Sequence, residues 1–245
     1  MKKKFLIVIP ARMNSSRFYA KPLKKIYGIP MIIRTALQCN KATKKKNIII
    51  ATDSKKIQDV CGEYGFRSLM TSKKLLTGTD RVCAVAKRHK ADYYINVQGD
   101  EPIFNPSDIK LLIKQINKKH TDVLLGYAKI DDKRDIFNKN IPKICFDKNL
   151  RLLYASRLPI PRGDYKKNKN YFRQILAYSL PYNHLIKFSK LKKKHKLEKA
   201  EDIEILRFLE LGINVKLLKM TQSSYPVDTP NDLKKVEKIL KKLAS

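Results

Sequence analysis

Residues 4–23 read KFLIVIPARMNSSRFYAKPL. The run over 4–9, apolar at every position from Phe5 on and without polar alternation, reads as a strand buried on both faces of an α/β sheet. Pro10 ends it, and a loop of small and basic residues follows where open α/β sheets bind ligands. Small side chains there let the backbone approach a ligand, while Arg12, Arg17 and Lys21 bring charge to meet a triphosphate. The glycines of GxGxxG and of the P-loop are missing, so neither template applies. Read alone, the segment is either a phosphate-binding loop or a basic surface loop.

Outward from this strand, short apolar runs alternate with amphipathic ones, as βαβ units do. Strands are expected over 47–52, 66–70, 91–97 and 123–130. Helices are expected over 30–40, opened by Pro30, from an Asp53-Ser54 N-cap to about 62, over 77–88, and over 105–117. The second half reads differently. It offers a hairpin (144–146 with 151–154), a loop rich in Pro, Gly and Lys (159–169), a strand (175–179) and a helix (181–188). A single helix over 201–211 ending at Gly212, a strand over 215–220 and a lysine-rich helix over 231–243 complete it. Neither repeats nor a clear linker interrupt the chain, which predicts one domain over 1–245 with a sub-region around 140–200.

The chain has 245 residues and a formal charge of +32. Such charge would suit a nucleic-acid binder, but the lysines lie in short runs on polar faces, with no zinc-finger, RNP-like or basic-zipper pattern beside them. Basic residues before the first apolar stretch imitate a secretory signal. The stretch is too short for one, however, and lacks a small-residue cleavage site. No apolar run approaches the ~20 residues that span a bilayer. Four widely spaced cysteines, Cys39, Cys61, Cys83 and Cys145, form no metal-ligand pattern and read as reduced thiols of a cytoplasmic protein.

Three further segments could carry chemistry. In Asn96-Val97-Gln98-Gly99-Asp100-Glu101-Pro102 a carboxylate follows a strand and a glycine suited to a tight turn. Asp100 there either holds a divalent cation against phosphate oxygens or caps the next helix. Val227-Asp228-Thr229-Pro230 offers a second carboxylate, which is an N-cap unless it converges with Asp100. Thr77-Gly78-Thr79-Asp80-Arg81 begins a helix, either to meet a base or phosphate or as a plain capping box.

Together the segments IPARMNSSRFYAKPL, YGIPMI, ATDS, TGTDR, NVQGDEP, YASRLPIP, LEKAEDIEILRFLELG and VDTPNDL resemble the 3-deoxy-manno-octulosonate cytidylyltransferases, from about residue 4 to the last helix. The resemblance implies a nucleotide-diphospho-sugar-transferase type fold: a Rossmann-like, mostly parallel mixed sheet flanked by helices, in a homodimer. It implies transfer of CMP from CTP to the anomeric hydroxyl of 3-deoxy-D-manno-octulosonate (Kdo), with release of pyrophosphate and with Mg²⁺ as cofactor. Arg17, Lys21, Asp100 and Asp228 would be catalytic, the two aspartates holding the metal. Ala11, Arg12, Ser15, Arg17, Lys21, Thr79 and Arg81 would meet the nucleotide. Gln98, Arg157, Tyr178 and Glu204 would meet the sugar acid, with Arg157 pairing with its carboxylate.

Four positions depart from the family's pattern. Gln174 stands where His is usual, Ile205 where Gln is usual, Leu75 at another His position, and Ala20 where Gly precedes the lysine. Gln174 and Ile205 motivate an alternative, the same transfer to a modified octulosonate or a sialic-type nonulosonate. A non-catalytic basic binding protein is the reading from another class.

Overall fold

The computed structural model describes residues 3–14, 18–118, 120–163, 170–221 and 225–244. Seven strands form the main path of one sheet: β1 (Phe5–Ala11), β4 (Ile48–Thr52), β5 (Arg67–Met70), β6 (Tyr93–Val97), β7 (Val123–Lys129), β10 (Phe172–Pro181) and β11 (Val215–Lys219). Their order is β11-β7-β10-β6-β1-β4-β5. β1 lies parallel to both β4 and β6, and β5 continues the parallel set. Only β10 runs antiparallel to its two neighbours on this path. The hairpin of β8 (Lys143–Phe146) and β9 (Leu152–Ser156) is joined to the sheet through β10. A two-stranded ribbon, β2 (Lys25–Ile26) with β3 (Ile29–Pro30), stands apart. This is the expected α/β architecture.

Side-chain alternation along β1 divides the core into two layers. Ile7 and Ile9 face one side, with Ile32, Ile33 and Ala36 of α1 (Met31–Asn40), Ile57 of α2 (Lys55–Glu63) and Ile109, Leu112 and Ile116 of α4 (Pro106–Asn117). Val8 faces the other, with Val82, Val85 and Ala86 of α3 (Gly78–Arg88), Phe188 of α6 (Tyr182–Lys190) and Phe208. Each of these valine, leucine, isoleucine and phenylalanine side chains contributes about 1.5–3 kcal/mol on full burial. A short helix, α5 (Lys133–Phe137), follows β7.

Three expectations change. The helix read over 201–211 starts only at Ile205, as α8 (Ile205–Glu210), and is preceded by a helix that the sequence reading did not include, α7 (Lys196–Glu201), which ends at Asp202, whose φ of 52° is left-handed. The Asp53-Ser54 cap is also absent. Ser54 makes no side-chain capping bond, and the Asp53 carboxylate instead accepts from the Met13 N–H and from Arg81. The strand read over 175–179 extends to ten residues, with a register shift between Ile175 and Tyr178.

The last helix, α9 (Pro230–Ala244), seats Val236 among Ile26, Met31, Ile103 and Val227. That packing brings the preceding loop beside β6, where the Val227 N–H donates to the Asp100 carbonyl at 2.9 Å. On the facing side, a 3₁₀ turn at Lys21–Leu23 is entered through Ala20, with φ 53° and ψ 28°. The left-handed region costs a residue with a Cβ about 1 kcal/mol or more, and glycine escapes that cost. Ala20→Gly is therefore expected to stabilise the chain, raising the thermal midpoint by about 2–4 °C. An unchanged or lowered midpoint in differential scanning calorimetry would contradict the assignment of strain to this turn.

Candidate active site

The strand ends β1 and β6 open on a cavity of about 380 Å³, large enough for a small ligand. β1 and the residue after it deliver Pro10, Ala11 and Arg12, and the turn after β6 delivers Gln98, Gly99 and Asp100. The 3₁₀ turn brings Lys21, and the loop before α9 brings Asp228.

Lys21 joins the two carboxylates. Its ammonium donates to Asp100 Oδ2 at 2.7 Å and to Asp228 Oδ1 at 3.2 Å. The three side chains are 12, 23 and 17% exposed, so water screens their attraction less than it would a surface pair. Burial pulls the ammonium pKa down, but Asp100 and Asp228 outweigh it and hold the pKa above its usual value. Neither aspartate caps a helix. Asn105 accepts from the Ser107 N–H ahead of α4, while Thr229 and Asp232 cap one another at the start of α9. The capping alternatives for Asp100 and Asp228 therefore fall away.

Asp100 Oδ1 is buried and has no hydrogen-bond partner. No cluster of three or more His, Cys, Asp or Glu stands among the described residues. Two carboxylates with an open acceptor suit Mg²⁺, which takes one or two protein carboxylates and completes its shell from substrate phosphates and water. The residues present fit that ion.

At the start of α3 the capping-box reading of TGTDR is realised, while Thr77, Gly78 and Arg81 also line the cavity. Thr77 and Asp80 form a reciprocal capping box. The N–H groups of Gly78 and Thr79 donate to the Glu204 carboxylate at 2.9 and 2.8 Å, and the Thr79 hydroxyl donates to it at 2.5 Å. The helix N-terminus thus already holds an anion, and Thr79, with no exposed surface, commits its hydroxyl to Glu204. Burial raises the Glu204 carboxyl pKa, against the lowering by the Thr79 hydroxyl and these N–H groups. Glu204 reaches the cavity wall, but its oxygens are committed to α3. One turn on, Arg207 is fully buried between Glu198 and Asp80 and tightens the same junction.

Arg81 lines the cavity and is also held from behind, by Asp53 at 2.7 Å, the Thr71 hydroxyl at 2.5 Å and the Ser72 carbonyl at 3.2 Å. Burial lowers its pKa and Asp53 restores part of it. Because Asp53 also accepts from the Met13 N–H at 3.1 Å, Arg81 braces the opening loop. The sequence reading missed Asp53, which it took for a helix cap. Ser15 and Arg17 lie outside the described residues, as does part of the 159–169 loop.

The expected sugar side gathers on one wall. Tyr178 is 2% exposed, and its hydroxyl accepts from Gln174 Nε2 at 2.8 Å. Burial drives the phenol pKa well up, against a hydrogen bond with Gln98 that lowers it. Gln174 Oε1 is buried without a partner. Ile205, by contrast, is a core residue with no exposed surface, so its departure from the family does not reach the cavity. Leu75 does line it. Arg157 donates to the carbonyls of Glu201, Lys139 and Asp202.

Lys143 supports this wall. Fully buried, its ammonium donates to the Asn138 and Arg157 carbonyls at 2.9 and 2.6 Å. Burial, aided by Arg157, lowers its pKa from the usual 10.5 to about 8. Between those two values the unfolded chain holds a proton that the folded chain has released. This group therefore makes stability rise with pH across that window. Urea unfolding of wild type and Lys143→Met from pH 7.5 to 10.5 should show the wild type gaining on the variant as pH rises. A parallel pair of curves would refute it.

The chain is similar to known proteins over nearly its whole length. The family model described as cytidylyltransferase matches residues 6–240. A 3-deoxy-manno-octulosonate cytidylyltransferase of Koribacter versatilis is 37% identical over 240 residues, covering 97% of this chain and 90% of that protein. One of Chloroherpeton thalassium is 37% identical over 246 residues, with 98% of each covered. The solved structure of a CMP:2-keto-3-deoxy-manno-octonic acid synthetase complexed with CTP superposes with a TM-score of 0.88 at 30% identity, covering 98% of this chain and 99% of that one. A basic loop after the first strand, two converging carboxylates and a full-length family match leave one assignment: the chain belongs to the cytidylyltransferase family.

Proposed function

We propose that this protein transfers CMP from CTP to the anomeric hydroxyl of Kdo, releasing pyrophosphate. The observation that carries the reading is the meeting of Asp100, Asp228 and Lys21 at the carboxyl ends of β1 and β6. The three residues come from positions far apart in the chain and share no secondary element.

In the reaction the hydroxyl oxygen forms a bond to the α-phosphorus of CTP as the bond to the bridging oxygen breaks, and pyrophosphate departs. Lys21, cationic and fixed by two carboxylates, stands ready to meet charge on the phosphates. Arg12 adds a second cation at the cavity, and Arg17 is assigned to the same role from the sequence. Asp100 and Asp228 would hold Mg²⁺, which when bound neutralises phosphate charge and acidifies a coordinated hydroxyl. Gln98, Gln174 and Tyr178 form the polar wall that orients the acid sugar. No imidazole lines the cavity among the described residues, consistent with catalysis by positioning and charge. Among the described residues no helix is long and apolar enough to cross a membrane. A cytoplasmic homodimer, with the 140–200 region serving dimerisation and the sugar, completes the proposal.

The test is pyrophosphate release with CTP and Mg²⁺, with and without Kdo. Release that needs Kdo supports the proposal. Buried Gln174 with its unpartnered oxygen favours a second reading, a different acid sugar. Silence with Kdo but release with a modified octulosonate or a nonulosonate would establish that one instead.

A further inference from the structure

Two cations from the second half of the chain, Arg157 and Lys194, line the cavity. They differ in what they can still offer a ligand. Arg157 has its fork held open on three backbone carbonyls, at 2.9–3.0 Å, so its orientation is set by the fold. Lys194 has three ammonium hydrogens and one side-chain partner, the Asp202 carboxylate. That carboxylate also lies 3.9 Å from Arg157 Nη2. Asp202 is 69% exposed, against 29% for the Lys194 side chain.

We propose that Lys194 is the cation that selects the carboxylate of the acid sugar, and that Asp202 competes with this carboxylate for it. The inference rests on the reading that the cavity takes an acid sugar. A carboxylate entering beside Arg157 meets the Lys194 ammonium on its long flexible stem, where it can form a charge-assisted hydrogen bond. Asp202 is easily displaced, because an exposed ion pair contributes little. Its left-handed backbone, φ 52°, breaks the α7–α8 segment so that its carbonyl holds Arg157 and its side chain reaches Lys194. Lys194 lies within a run of lysines over 192–194, which hides it in the sequence as one more solvated charge.

The experiment varies Kdo at saturating CTP, and CTP at saturating Kdo, in wild type, Lys194→Met, Lys194→Arg and Asp202→Asn, reading pyrophosphate. Asparagine tolerates the left-handed region and keeps the backbone carbonyl. Lys194→Met should raise KM for the sugar about tenfold, the effect of one charge-assisted hydrogen bond. KM for CTP should stay unchanged, and Lys194→Arg should restore the sugar KM. Asp202→Asn should lower the sugar KM by roughly threefold, as removal of an exposed competitor predicts. A purely structural role for either residue would not produce opposite signs. An unchanged sugar KM in Lys194→Met, or a raised one in Asp202→Asn, overturns the inference. If Lys194→Met does not fold, the sign in Asp202→Asn decides. Absence of release by the wild type with Kdo overturns the functional reading itself, and the inference with it.

Discussion

Asp100→Asn is expected to lower pyrophosphate release at saturating CTP and Kdo by about a thousandfold, while moving the thermal midpoint by no more than about 3 °C. The amide oxygen still accepts from Lys21, which now stands 2.7 Å from Asp100 Oδ2, so the fold keeps that contact. What disappears is charge. One of the two carboxylates proposed to hold the cation becomes neutral, and the buried Oδ1, which has no protein partner, can no longer serve as an anionic ligand. Mg²⁺ together with CTP should therefore raise the wild-type midpoint more than that of the variant. The two readouts separate a metal ligand from a structural acid. A variant that retains a tenth of the activity, or gains as much stability from Mg²⁺ and CTP as the wild type, would remove Asp100 from the catalytic assignment.

Sequence reading reached the sheet and its first four helices because those segments satisfy local rules. β1, β4 and β6 are apolar at nearly every position, and Asn105-Pro106 and Thr77 carry helix-start chemistry that the structure reproduces. It also picked out Asp100, Asp228 and Lys21, which sit at strand and turn ends. It did not reach relationships between distant segments. Glu204, expected on the sugar side, lines the cavity, and its carboxylate accepts at the α3 N-terminus 125 residues away in sequence, through Thr79. Thr79 is buried there, and its hydroxyl, expected at the nucleotide, donates to Glu204. Asp53 read as a cap because it precedes a helix, and only the fold brings Arg81 and the opening loop to it. The helix α7 was not read at all, and the one read from 201 begins only at Ile205. At Asp53 and Glu204 a charged side chain is satisfied by a partner that no local pattern predicts.

Gly99 is where the fold and the site depend on a single absent atom, and Gly99→Ala is expected to cost both. The sequence suggested a glycine that permits a tight turn, but its backbone is not left-handed, and the constraint is proximity. A Cβ there would lie 2.6 Å from the Pro10 carbonyl oxygen and 3.1 Å from Ile32 Cδ1. The first of these contacts is backbone, at the end of a strand paired on both sides, so relief requires the β6 turn to move away from β1. That motion displaces Asp100, the next residue, from Lys21. It also strains the hydrogen bond from the Thr35 hydroxyl to the Gly99 carbonyl. Overpacking of this kind costs about 2–3 kcal/mol, equivalent to a fall of roughly 5–10 °C in midpoint for a chain of this size. Activity measured well below the new midpoint should still be depressed at least about tenfold, because an ångström of misplacement matters at a phosphoryl-transfer site. Gly62→Ala supplies the control. Gly62 lies within α2, and a Cβ there meets nothing within 4 Å. Alanine at that position should stabilise by about 0.5–1 kcal/mol and leave turnover unchanged. If Gly99→Ala behaved like Gly62→Ala, the close approach of β6 to β1 would not be what positions Asp100.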